Sequence, residues 1–225
     1  MKSFHNDPKI KEKYLNRLKA HAEADELIQG EGWRDGKGCA VGCTLENYNH
    51  ARYEKELGIP EWMARLYDCI FEGLPNDKAK VFAIKFLQSV PVGVDLNPIK
   101  WKFPCFVLKE NIERVMSLTL DKKLKEQVVS SIRQCLSVHK SAILNGAWNY
   151  STRSLAWSAA DSAAESVRVA RSTLVAESAA DSAAESMVES LARSTWLAAE
   201  SARPARSEAY ERYSKKLIQL LKEAK

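Results

Sequence analysis

LDKKLKEQVVSSIRQCL, residues 120–136, places Leu120, Leu124, Val128, Ile132 and Leu136 at every fourth position. A helix advances about 100° per residue, so these side chains fall on one apolar face with lysine and glutamate outside it. The pattern predicts an amphipathic helix that continues to Asn145-Gly146. Upstream, Asn97-Pro98 reads as a cap and first turn of a helix reaching Met116, kinked at Pro104.

Helical signals recur toward the N-terminus. Asp7-Pro8 is an N-cap with proline at the first helical position, and Ile10, Tyr14, Leu18 and Leu27-Ile28 make a stripe to about Gln29. Further helices are expected from about Thr44 to Leu57, from Pro60 to Gly73, and from Leu74-Pro75 to just before Pro91. Residues 90–98 read as a crossing loop. The fold class is therefore all-α: a multi-helix bundle over residues 1–146, interrupted by a Gly/Cys loop at 30–43.

The remaining residues, 147–225, are an Ala/Ser-rich helical repeat followed by a C-terminal helix, expected to pack on the first part. Small residues recur every fourth position from Ser154 with one exception, Leu174, and Ser-Ala-Ala-Asp-Ser-Ala-Ala-Glu-Ser stands at 158–166 and again at 178–186. The segment reads as a tandem duplication, either a long helical hairpin or a rod. Its smooth face would pack internally, dock a partner helix, or join copies of the chain in a homo-oligomer.

Composition narrows the partners. The net charge of +5 is scattered, with 23 basic against 19 acidic side chains in residues 1–150. Nucleic-acid binding wants basic residues gathered on one face, so none is expected. No stretch approaches the roughly 20 apolar residues needed to span a bilayer, and the first residues lack a signal peptide's apolar core, so no membrane partner is expected. Five cysteines, an odd number and mostly single within helical patterns, point to a reducing, cytoplasmic location.

Residues 30–38, GEGWRDGKG, carry four glycines in nine positions and are expected to lack regular structure. The spacing fits neither a phosphate loop nor a dinucleotide fingerprint. Trp33, Arg34, Lys37, Gly38 and Cys39 nonetheless form a candidate cradle for a small anionic ligand.

Just beyond, Cys39 and Cys43 lie four apart. If helix begins after Gly38, both thiols share a face and Cys39 sits at a positive helix end that would lower its pKa. His21 with Asp25, and His50 with Glu54, repeat the four-residue spacing on the flanking helices. Cys39, Cys43, His21 and His50 are therefore candidate ligands for a metal, with zinc the ion they would suit, and Cys39 with His50 is a candidate nucleophile–base pair. The plain alternative is that these cysteines pack in the core. Cys69, Cys105, Cys135 and His139 read as structural.

The run Gly36-Lys-Gly-Cys-Ala-Val-Gly-Cys-Thr-Leu45, with Leu57-Gly-Ile-Pro60, Ile70-Phe-Glu-Gly-Leu-Pro75 and Pro91-Val-Gly-Val-Asp95, resembles a family of uncharacterised bacterial and phage proteins with C-terminal Ser-Ala-Ala-x repeats. The resemblance spans nearly the whole chain and implies no catalytic residue. The alanine-rich tail is also similar in composition to toxin-immunity proteins, which bind a protein. With no complete catalytic constellation, the expected function is a non-enzymatic binding protein, such as an immunity or anti-defence factor sequestering a protein or a small anion. The alternative is a Cys/His metalloprotein or a thiol-dependent enzyme.

Overall fold

The structure is a computed structural model describing residues 1–117, 122–146 and 203–225. The described residues are predominantly helical, with one sheet of two short strands. The elements are α1 (Pro8–Glu23), β1 (Trp33–Arg34), β2 (Lys37–Gly38), α2 (Ala40–Leu45), α3 (His50–Leu57), α4 (Glu61–Gly73), α5 (Asn76–Ser89), α6 (Ile99–Ser117), α7 (Lys122–Asn145) and a last described helix, α8 (Arg203–Glu223). The Ala/Ser repeat, its hairpin-or-rod alternative and the boundary expected at 146–147 lie outside the described residues or at their edge. Contacts divide the chain into two units, Met1–Ile99 with Ser207–Lys225, and Lys100–Arg206. Among the described residues no helix is long and apolar enough to cross a membrane.

The first unit is built around α4. Its apolar residues recur at three- and four-residue intervals, and Met63, Leu66, Tyr67, Ile70 and Phe71 are all buried. Tyr67 stacks on Phe86 of α5 with ring centroids 4.0 Å apart, and its hydroxyl donates to the Ala83 carbonyl at 3.1 Å. A buried phenol that satisfies its hydroxyl contributes both apolar area and a fixed orientation. From α8, Tyr210 is buried against Gly73, where any side chain would strike its ring.

Two boundaries differ from the sequence reading. Helix α1 stops at Glu23 rather than near Gln29, because Asp25 turns left-handed (φ 57°) and the chain then runs extended. Leu27 is fully buried there, Gly38 N–H donates to the Glu26 carbonyl at 3.0 Å, and Ile28 N–H donates to Gly38 at 2.9 Å. The helix expected over 44–57 is two helices. Glu46 is left-handed at the end of α2, and the Asn49 side chain accepts from Ala51 N–H to start α3.

An N-terminal hook closes this unit. Phe4, His5 and Asn6 all have left-handed backbone (φ 51°, 50° and 61°), a conformation costing roughly 1–2 kcal/mol per L-residue. What offsets that cost is the complete burial of Phe4, with Ser3 bonded to the 91–94 loop: its hydroxyl donates to Pro91 and its N–H to Val94. Gly58, with φ 61°, lies so close to the Lys2 carbonyl that a methyl group would collide with it.

In the second unit α7 buries Val128, Val129, Ile132, Cys135, Leu136, Val138 and Ala142, a three- and four-residue stripe. His139 is buried with them, and burial holds its pKa down at about 4, so it is neutral near pH 7.

Phe4→Ala should lower unfolding free energy by about 3–5 kcal/mol, the usual cost of deleting a buried aromatic ring. Urea denaturation followed by far-UV circular dichroism checks it. A loss below roughly 1 kcal/mol would mean the hook does not support the core.

Candidate functional site

The glycine-rich loop folds as a miniature hairpin. Asp35 and Gly36 have φ 51° and 81°, the type I′ turn that matches strand twist, and Trp33–Arg34 pairs antiparallel with Lys37–Gly38. This corrects the expectation of a loop without regular structure. Asp-Gly between residues able to extend is itself a hairpin signal.

The hairpin lies directly on the start of α2. The Gly32 carbonyl faces Gly38 and Gly42, where an added Cβ would collide with it, while a Cβ on Gly32 would stand 2.6 Å from the Tyr48 ring. Gly38 and Gly42 thus permit one backbone to touch another, and Gly32 makes room for the Tyr48 ring. Cys39 N–H donates to the Glu31 carbonyl at 2.7 Å, and its sulfur accepts from Gly42 N–H at 3.4 Å, so Cys39 caps α2.

Beneath the hairpin, α4 contributes Asp68 and Glu72, four residues apart and so on one face. Asp68 is only 7 % exposed. Its Oδ2 accepts from Tyr48 OH at 3.0 Å and stands 3.0 Å from His50 Nε2. Its Oδ1 is buried with no hydrogen-bond partner. Cys39 Sγ, an Asp68 carboxylate oxygen and a Glu72 carboxylate oxygen all lie within 4.8 Å of one another. Glu72 stands at the exposed rim, and its Oε2 accepts from Gly30 N–H at 2.8 Å.

The electrostatics follow from burial. Desolvation, and then the Asp68 carboxylate beside it, push the Cys39 thiol far above its ordinary range. The helix-end effect expected to lower it is outweighed, because α2 is only six residues long and the thiol is 1 % exposed. Burial, and more weakly Asp68, raise the Glu72 carboxyl to about 7 against the pull of Gly30 N–H. Tyr48 is also raised, first by burial and then by Asp68.

The structure brings Cys39 and His50 to the same carboxylate but not to each other: among the described residues no hydrogen bond joins them. His21 and Cys43 are engaged elsewhere. His21 Nδ1 is 2.6 Å from Glu26 Oε2, and its ring meets Trp33 edge-on. Cys43, its thiol raised to about 12 chiefly by burial, lies 3.2 Å from the Gly38 carbonyl. The expected His21–Asp25 and His50–Glu54 pairs do not form. Asp25 pairs with Lys80, and Glu54 accepts from Glu61 N–H at 3.2 Å.

Of the anion-cradle residues, Arg34 pairs with Glu31 at 2.7 Å and Lys37 is exposed. The N–H groups of Gly30, Gly38, Cys39 and Gly42 are all donated within the protein, which leaves none of these four for a bound anion. Sequence reasoning missed Tyr48, Asp68 and Glu72. The available signal was an aspartate inside the apolar run Leu66–Phe71, where a carboxylate is costly to bury.

Comparison with protein-family models, curated proteins and solved structures finds no match to this chain.

Two outcomes follow from this geometry. Gly42→Ala should destabilise the protein by about 1–3 kcal/mol, the range for overpacking, and thermal unfolding measures it; a neutral effect would mean the hairpin is not seated on α2. Glu72 holds a proton in the native state between its ordinary value of 4.5 and about 7, where the unfolded chain has released it. Stability therefore falls as pH rises through that window, and Glu72→Gln should flatten the trend in urea midpoints measured between about pH 5 and 7.

Proposed function

We propose that the protein is a non-enzymatic metal-binding protein that holds one divalent transition ion, zinc by ligand chemistry, with Cys39, Asp68 and Glu72. The observation that carries this reading is Asp68 Oδ1, a buried carboxylate oxygen without a partner, next to a buried thiol and a second carboxylate. A buried, incompletely satisfied anion is expensive, and a cation satisfies all three groups at once. A thiolate ligand favours zinc-like ions over calcium or magnesium, which take oxygen.

The remaining neighbours suit supporting roles. Tyr48 and His50 hold Asp68 Oδ2 and so aim Oδ1, while Gly30 N–H orients Glu72. His50 is thus a positioning residue here rather than a ligand. Zinc–sulfur and zinc–oxygen bonds are about 2.3 and 2.0 Å long, a scale matched by three donors that lie within 4.8 Å of one another. Against a thiol enzyme stand the burial of Cys39 and its raised pKa, and among the described residues no histidine is hydrogen-bonded to its thiol.

Native mass spectrometry with elemental analysis should find one zinc per chain, lost in Cys39→Ser and Asp68→Asn and kept in Cys43→Ser and His21→Ala. Affinity should rise with pH through about 7, because metal displaces the protons on Glu72 and Cys39. Failure to bind zinc at micromolar concentration would sink the proposal, as would loss of zinc in Cys43→Ser with retention in Asp68→Asn. Rapid alkylation of Cys39 in the folded metal-free protein would instead favour the thiol-enzyme reading.

A further inference from the structure

Sharing no residue with the cysteine cluster, α5 and α8 of the first unit flank a groove of about 750 Å³. One wall carries Lys78, Val81 and Lys85, at positions i, i+3 and i+7 of α5. The other carries Glu211, Lys215, Ile218 and Lys222, at i, i+4, i+7 and i+11 of α8. Each set is one face of a helix, and the second spans roughly 16 Å, three turns. Two helical faces side by side present ridges and grooves against which a further helix can pack.

The chemistry of the trough is specific. Val81 is 50 % exposed and Ile218 is half-buried, so both offer apolar surface to whatever lies in the groove. Lys78 pairs with Glu211 and is neutralised there. Asp77 also lines the groove beside Lys78, while Lys85, Lys215 and Lys222 have no carboxylate partner among the described residues, so positive charge exceeds negative around the apolar positions. An apolar strip between unneutralised lysines is complementary to a helix with an apolar stripe bordered by aspartate and glutamate.

We infer that this groove is a docking site for an acidic amphipathic helix of a partner protein. The inference is independent of the metal centre, since it shares no residue with Cys39, Asp68 or Glu72. A small anionic amphiphile fits less well, because a single headgroup would engage one end of the trough. The lysines here are distributed along both walls.

The test is selection from a displayed library of random helical peptides of about 16 residues, long enough to span the groove. Wild-type full-length protein is the target and Val81→Glu/Ile218→Glu the counter-target. Enriched peptides should carry acidic residues flanking an i, i+3 or i+4, i+7 apolar stripe. Their affinity should fall about tenfold or more in Lys85→Glu/Lys215→Glu, and independently in Lys222→Glu, and should weaken with added salt. Matching far-UV circular dichroism and thermal midpoints establish that the charge-reversed proteins are folded; the altered lysines are exposed.

No enrichment over the counter-target would overturn the inference, as would enriched peptides without acidic residues or indifferent to charge reversal. Saturable binding of dodecyl phosphate, sensitive to the same lysine variants and unaccompanied by peptide enrichment, would reassign the groove to a small amphiphile and overturn it equally.

Discussion

A carboxylate buried on an apolar helix constrains everything around it. Asp68 sits one turn before Glu72 on α4, with Tyr67 and Ile70 committed to the core on either side. Burying an ionised carboxylate without compensation costs several kcal/mol, so its surroundings must supply donors. Tyr48 and His50 supply them at Oδ2: Tyr48 lies in the break between α2 and α3, and His50 is the first residue of α3. The break between α2 and α3 therefore serves the carboxylate: an unbroken helix would give Tyr48 and His50 a different placement.

The glycine hairpin completes the enclosure from the other side. Gly32 rests on Gly38 and Gly42, which brings Cys39 under cover and ties Gly30 to Glu72. The N–H groups of Gly30, Gly38, Cys39 and Gly42 are donated within the protein, so these positions of a segment that looks suited to binding phosphate are spent on holding its own shape. Glycines that permit close approach of a ligand also permit close approach of backbone, and here the second use prevails.

These features explain what was legible from sequence. Helix stripes such as Val128, Ile132 and Leu136 on α7, or Leu66 and Ile70 on α4, were readable because burial on one helical face leaves a periodic trace. The end of α1 was not, since Leu27-Ile28 fits a helical stripe as well as the extended segment that pairs with Gly38. Cys39 and His50 were visible as reactive residue types. Their meeting point was not, because Asp68 and Glu72 lie on a helix 18 to 33 residues away and spacing along the chain says nothing about which faces converge. Nor could spacing separate His21 and Cys43, whose partners Glu26 and the Gly38 carbonyl depend on where the extended segment runs.

In the proposed site Oδ1 of Asp68 and the sulfur of Cys39 share one ion. X-ray absorption at the zinc edge of the reconstituted protein addresses this most directly. The account predicts one sulfur at about 2.3 Å with oxygen or nitrogen neighbours near 2.0 Å, the sulfur shell vanishing in Cys39→Ser. A shell without sulfur, or with two sulfurs that would bring in Cys43, would contradict it.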